Sequence, residues 1–227
     1  MKLILFDVDG TIIDSQNIIV ASLESAFASV GLAAPSRTEA LSIVGLSLPH
    51  AFVPLVGPDG PVAELTAAFK SAFAGFRANA AIASPFFEGA QELIGSLGGR
   101  DDVMLGIATG KSRRGVNHIF EKYGWWDLFA TVQTADDAAS KPHPEMILRA
   151  MAETGVGQYD LVMIGDTTYD MEMAANAGVN SIGVAWGYHG VDALAARGAG
   201  AIVSSYAELG KVLDGFIARG DILRENA

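Results

Sequence analysis

Short, unbroken apolar runs alternate with longer amphipathic stretches along most of this sequence. The runs Lys2–Phe6, Val103–Ala108, Thr131–Thr134, Leu161–Ile164, Ser181–Val184 and Ala201–Val203 predict strands. Helices are predicted to begin near Gly89, Ser112, Pro144, Asp170, Val191 and Tyr206. Strands that take turns with helices build a parallel sheet, and runs apolar on both sides suit a sheet covered on both faces. Ser112 can cap one of these helices, and Pro144 suits the first turn of another. The expected class is α/β, a doubly wound parallel sheet.

One stretch departs from the alternation. Between residues 15 and 83 no segment reads as a strand. Val20–Val30 and Val62–Phe76 carry apolar residues at helical spacing, and Pro35, Pro49, Pro54, Pro58 and Pro61 punctuate the segment between them. The reading is an α-helical insertion after the first strand. The α/β core then comprises residues 1–14 and 84–227, and the helical cap residues 15–83.

Half of the 227 residues are hydrophobic and 18% are charged, enough apolar surface for a core and too much for a disordered chain. The net charge of −11 opposes binding to phosphate backbones, so no nucleic-acid partner is expected. The same charge repels small anions, so a phosphate ester would need a local cation. With no cysteine, thiolate metal sites, disulfides and cysteine nucleophiles are excluded. The first apolar run is too short for a signal-peptide core or a membrane span, and a soluble, cytoplasmic protein is expected.

The polar residues at the predicted strand ends carry the chemistry. In a parallel sheet, ligands collect at the carboxyl ends of the strands. Asp7 and Asp9 follow the first strand, and residues two apart in an extended chain point the same way. Gly10 then permits a sharp turn. A calcium loop would need further acidic residues at fixed spacing, and Ile12-Ile13 oppose it. Gly165-Asp166-Thr167-Thr168-Tyr169-Asp170 follows another strand, with Asp170 reading as a helix cap. Carboxylates converging from separate strands repel unless a cation is bound, and Mg²⁺ suits such hard oxygen ligands. Thr109-Gly110 follows a third strand, where a hydroxyl and backbone N–H groups can bind phosphate. Lys141, in Ser140-Lys141-Pro142-His143-Pro144, can supply positive charge to a transferring phosphoryl group.

Taken in order, Asp7-Val8-Asp9-Gly10-Thr11, Thr109, Lys141 and Gly165-Asp166 through Asp170 resemble the haloacid dehalogenase (HAD) superfamily, whose core is Rossmann-like. The helical insertion resembles its α-helical cap. Phe6 to Ser15, Lys141-Pro142-His143-Pro144 and Gly183 to Tyr188 resemble the phosphoglycolate phosphatase-like branch. The resemblance implies a phosphomonoester phosphatase acting on a small phosphorylated metabolite, with 2-phosphoglycolate as one candidate. Asp7 would be the nucleophile, forming an aspartyl-phosphate, and Asp9 the acid and then base. Mg²⁺ would be held by Asp7, the Asp9 carbonyl and Asp166, with Asp170 supporting it directly, through water or by orienting neighbours. Thr109, the Gly110 N–H and Lys141 would hold the phosphoryl oxygens.

Three rival functions are weaker. A 2-haloacid dehalogenase needs neither a leaving-group acid nor Mg²⁺, yet Asp9, Asp166 and Asp170 are present. A β-phosphoglucomutase-like enzyme would carry Arg where this chain has Leu48. A receiver-type module needs no acid at position 9. Gly106 to Ser112 lacks the glycine spacing of a P-loop, and Lys111, Arg113 and Arg114 read as a solvated helix start that can add charge to the pocket rim. Substrate choice is expected in the cap, whose cations are Arg37, His50, Lys70 and Arg77. The four histidines show no zinc-ligand spacing. His143 reads as a packing or capping group, and Trp125-Trp126 as core. Trp186 and Tyr188 read equally as site-lining or loop-closing residues.

Overall fold

The computed structural model describes residues 1–79 and 82–219. Residues 80–81, assigned above to the cap, and 220–227, assigned to the core, lie outside the described residues. Six strands form one parallel sheet: β1 Lys2–Phe6, β2 Val103–Ala108, β3 Phe129–Gln133, β4 Leu161–Gly165, β5 Asn180–Val184 and β6 Ala201–Val203. Their order across the sheet is β3-β2-β1-β4-β5-β6. The chain winds outward from β1 in one direction and then, from β4, in the other. The β1/β4 pair is therefore the topological switch point, where a crevice opens at the carboxyl ends.

Alternation along the central strand explains the layers. Ile4 and Phe6 face one apolar cluster together with Leu105, Ile107, Val162 and Ile164. Leu3 and Leu5 face the opposite cluster, with Met146, Ile147, Met163 and Met173. Helices α5 (Ala90–Gly98), α6 (Arg113–Tyr123) and α10 (Tyr206–Arg219) contribute to the first cluster. Helices α7 (Glu145–Thr154) and α8 (Thr168–Ala177) contribute to the second. A short helix α9, Val191–Ala196, connects β5 to β6.

Four helices fill the interval between β1 and α5: α1 Gln16–Ser29, α2 Arg37–Ser42, α3 Leu48–Val56 and α4 Val62–Ala78. They surround an apolar cluster of their own, including Leu23, Phe27, Phe52, Leu65 and Phe69. Phe52 sits between Phe27 and Phe69, with ring centroids 6.3 and 6.2 Å away. The expected helical insertion after the first strand is present. Pro54 does not punctuate it but lies inside α3. The two crossings between core and cap are side by side: Ile13 pairs with Phe86, and the Asp14 N–H donates to the Pro85 carbonyl at 2.8 Å.

The remaining differences from expectation are local. Strand β3 begins at Phe129 rather than Thr131, because pairing with Leu105 of β2 draws those residues into the sheet. Helix α8 is capped by Thr167, not by Asp170. The Thr167 side chain accepts the Asp170 N–H, and the Asp170 carboxylate accepts the Thr167 N–H, a reciprocal capping box. Trp125 is core, but Trp126 is 52% exposed. Among the described residues, no helix is long and apolar enough to cross a membrane.

Candidate active site

Strand register assembles the site. Phe6 is level with Ile164 of β4 and with Ile107 of β2, so Asp7, Asp166 and Thr109 emerge at nearly the same height. The Asp7 N–H donates to the Ile164 carbonyl at 2.9 Å, extending the ladder one step beyond β1. Gly10 then turns with φ of +86°, and a Cβ there would lie 2.2 Å from an Asp166 oxygen. Glycine is therefore required twice over, by backbone conformation and by space.

The center of the site is a knot of buried charge. Asp7, Lys141, Asp166 and Asp170 are each 1% exposed or less. Oxygens of Asp7, Asp166 and Asp170 all lie within 4.8 Å of one another. Lys141 Nζ lies 3.0 Å from Asp7 Oδ1 and hydrogen-bonds to Asp170 Oδ1. The Lys141–Asp7 contact is an ion pair without hydrogen-bond alignment. Among the described residues, neither Asp7 oxygen has a hydrogen-bond donor. Such an orphaned buried carboxylate is costly unless a ligand completes it.

Burial, the largest influence, pushes the Asp7 carboxyl up to about 6. Lys141 opposes that rise and Asp170 adds to it. Asp166 is raised well above the usual carboxylate range by burial, then by Asp7 and Asp170. Burial draws the Lys141 ammonium down, but Asp170 and Asp7 outweigh it and hold the proton more tightly than usual. One lysine therefore offsets three carboxylates. The donor set is all oxygen and carries excess negative charge, which fits a hard divalent cation.

The supporting contacts come from distant segments. Asp166 accepts Thr11 Oγ1–H and the Tyr188 N–H, both at 2.9 Å. Trp186 Nε1–H and the Tyr206 hydroxyl both donate to the Thr11 carbonyl, at 3.0 and 2.8 Å. Trp186 thus braces the turn after β1. Asp9 does not join the carboxylate cluster. Its oxygens receive Lys111 Nζ at 2.7 and 2.6 Å, and Oδ1 also accepts the Ser15 hydroxyl at 2.7 Å. Ser15 in turn sits 3.3 Å from the Tyr188 hydroxyl.

Asp7, Asp9, Thr109, Gly110, Lys141, Asp166 and Asp170 all lie in this region, and Lys111 joins them. It is not solvated: its side chain is 13% exposed and packs 5.2 Å over the Phe73 ring of α4. Arg113 pairs with Asp137. Ser112 caps α6 as expected, accepting the Gly115 N–H at 3.2 Å. His143 serves as a local acceptor for the Glu145 N–H. Ser15, Thr11 and Tyr188 were not singled out as partners of the aspartates. Nothing in their local sequence announces contacts made across the fold.

A cavity of about 310 Å³ lies between core and cap, with Asp7, Asp9, Thr109 and Gly110 on its core side. Ile19, Leu23, Val44, Leu46 and Phe69 make its cap side largely apolar. Leu48 lines it too, so the position at which the mutase resemblance calls for Arg is apolar here. Of the cap's cations, Lys70 and Arg77 line the cavity. Arg37 instead donates to Gln16 and Asn17, and His50 contacts the Ser47 hydroxyl. The cap rests closely on the core. The Ser47 N–H donates to Ser140 Oγ at 2.9 Å, and a Cβ on Gly110 would lie 2.4 Å from the Gly45 carbonyl oxygen.

Sheet order, helical insertion and carboxylate cluster converge on one family. Residues 4–184 match the family described as haloacid dehalogenase-like hydrolase, and the chain belongs to it. The protein named "Probable phosphatase IndB" from Dickeya dadantii is 34% identical over 210 residues, covering 91% of each chain. A phosphoglycolate phosphatase from Agrobacterium fabrum is 29% identical over 191 residues, covering 82% of this chain and 81% of that relative. The crystal structure of a hydrolase from Pseudomonas syringae superposes with a TM-score of 0.82. It covers 95% of this chain and 99% of the other at 21% identity, a likeness of fold.

Proposed function

We propose that this hydrolase is a Mg²⁺-dependent phosphomonoester phosphatase acting on a small phosphorylated metabolite, with residues 15–83 as its cap and residues 1–14 and 84–227 as its catalytic core. The observation that carries this reading is Asp7, buried at a strand end with neither carboxylate oxygen in an aligned hydrogen bond and Lys141 Nζ 3.0 Å from Oδ1. An oxygen without a hydrogen-bond donor keeps its lone pairs for phosphorus. Attack would form the Asp7–phosphate bond and break the ester bond. Asp9, on the same cavity wall, would give a proton to the departing alkoxide and then take one from the water that hydrolyses the intermediate. Thr109, the Gly110 N–H and Lys141 would hold the phosphoryl oxygens.

Asp7, Asp166 and the Asp9 carbonyl would hold the cation, which when bound neutralises charge on the phosphoryl group. Asp170 is included in the metal site as a supporting residue. Its Oδ1 is taken by Lys141 and its Oδ2 by the Thr167 N–H and hydroxyl, which supports an orienting role over direct ligation. 2-Phosphoglycolate is the substrate suggested by the relative from Agrobacterium fabrum.

Hydrolysis of p-nitrophenyl phosphate with Mg²⁺ tests the reading. Asp7→Asn is expected to lower kcat by roughly 10⁴-fold or more, as removal of a nucleophile does. EDTA is expected to abolish turnover. An inactive wild type, or a variant that keeps its rate, rejects the mechanism.

A further inference from the structure

The cap side of the cavity is specific in composition. Lys70, Phe73, Ala74 and Arg77 of α4 all line it. Separations of three, four and seven residues place them on one helical stripe. The stripe presents an aromatic ring with a cation about one turn to either side. Arg114, from the start of α6, lines the same cavity.

Seven other lysines and arginines, Lys111 of the cavity wall among them, form ion pairs with carboxylates. Among the described residues, Lys70, Arg77 and Arg114 form none, although the chain carries 26 acidic residues against 15 basic ones. Among the same residues Arg37, Lys122, Lys211 and Arg219 also lack a carboxylate partner, but of these unpaired groups Lys70, Arg77 and Arg114 are the ones that line the cavity. Asp136 also lines the cavity, but its Oδ2 is engaged by the Arg113 N–H at 2.8 Å. Cations left unpaired around an apolar cavity on an acidic protein form an anion-attracting rim. The cavity's size adds a second constraint. At about 310 Å³ it reaches the range that encloses drug-sized ligands, more room than a two-carbon acid phosphate fills.

We infer that the substrate is a phosphomonoester whose leaving group has an apolar, ring-sized body and a second anionic group beyond it. This rests on the phosphatase reading above. The phosphate sits at Asp7, Phe73 and its apolar neighbors pack the body, and Lys70, Arg77 and Arg114 receive the distal anion. Phosphoglycolate would reach the chemistry but leave the apolar wall uncovered.

The test compares 4-carboxyphenyl phosphate with its neutral counterpart, 4-carbamoylphenyl phosphate, by kcat/KM. The wild type is expected to favor the carboxylate about tenfold or more, the scale of one or two charge-assisted contacts. In the Lys70→Met, Arg77→Met double variant the preference should fall toward one. Intrinsic differences between the two leaving groups cancel when the wild-type ratio is divided by the variant's. Equal rates for both esters in the wild type overturn the inference, as does a preference that survives the double substitution. Inactivity on both esters with p-nitrophenyl phosphate still hydrolysed also overturns it, while leaving the phosphatase reading standing. Inactivity on all three rejects that reading and the inference with it.

Discussion

The core and cap sides of the cavity handle charge in opposite ways. On the core side, Lys141 is fully buried and shared between Asp7 and Asp170, and Asp166 is held by Thr11 and Tyr188 from distant segments. On the cap side, Lys70 is exposed and Arg77 half-buried, with no ion-pair partner among the described residues and apolar side chains around them. A buried, cross-linked cluster tolerates little change, because removing one charge strands the others. An exposed cation on a helix can be replaced at small cost to the fold. The chemistry proposed for the core is therefore rigidly specified, whereas the selectivity proposed for the cap can drift.

The most severe way to break this contrast is Lys141→Met. It leaves Asp7, Asp166 and Asp170 buried without their cation, and the expected loss is about 3–5 kcal/mol of stability in EDTA. Urea denaturation measures it, and Arg77→Met under the same conditions should change the unfolding free energy by no more than about 0.5 kcal/mol. Similar losses for the two variants would erase the distinction.

An intermediate effect concerns cation binding and its pH dependence. Asp7 is raised from 3.8 to about 6, and Asp166 is raised as well. For an acid whose folded-state pKa is raised, the stability it contributes is fully present below the unfolded value and lost as pH rises through the folded one. Without a divalent cation the core side should therefore weaken between about pH 4 and 6 through Asp7, with Asp166 acting in the same direction. Mg²⁺ at a hundred times its Kd is expected to add about 2.7 kcal/mol. The gain in Tm should be larger at pH 7 than at pH 5, where protons compete with the cation. Calorimetry with and without Mg²⁺ at both pH values reads this directly. A gain independent of pH would separate the cation from Asp7 and Asp166.

The smallest effect sharpens the boundary between the two sides. Ser15 precedes the first cap helix yet hydrogen-bonds to Asp9. Ser15→Ala is expected to cost about 1 kcal/mol in positioning, roughly fivefold in kcat. The loss should be greater for alkyl phosphates than for p-nitrophenyl phosphate, whose leaving group needs little protonation. Equal losses would make Ser15 structural rather than a positioning residue for Asp9.

Much of the core side was legible in the sequence. Apolar runs set five of the six strand starts to within a residue, and the polar residues at their ends could be named because a parallel sheet gathers its strand ends together. The pairings that organise those residues were not legible. Thr11 meets Asp166 across 155 residues and Ser15 meets Tyr188 across 173, separations that no local pattern spans. The inward turn of Lys111 is hidden for the same reason. Beside Ser112 at a helix start it looks like a surface residue, and only the overlying cap turns it inward onto Asp9. On the cap side, the sequence supplied the helices and the inventory of cations. Which cations face the cavity depended on how α4 is rotated, a matter of packing around Phe52 and Phe69.

The paired crossing at Ile13–Phe86 and Asp14–Pro85 gives the molecule an architectural freedom. Seen from the sheet, everything between those two pairs is a single loop whose ends are already fastened together. Extending a loop with fixed ends adds closure entropy only logarithmically. A roof of different length, shape or lining could be grafted at that seam while β1 kept its register and Asp7 its place. The seam makes this phosphatase a chassis, on which recognition can be exchanged as a unit.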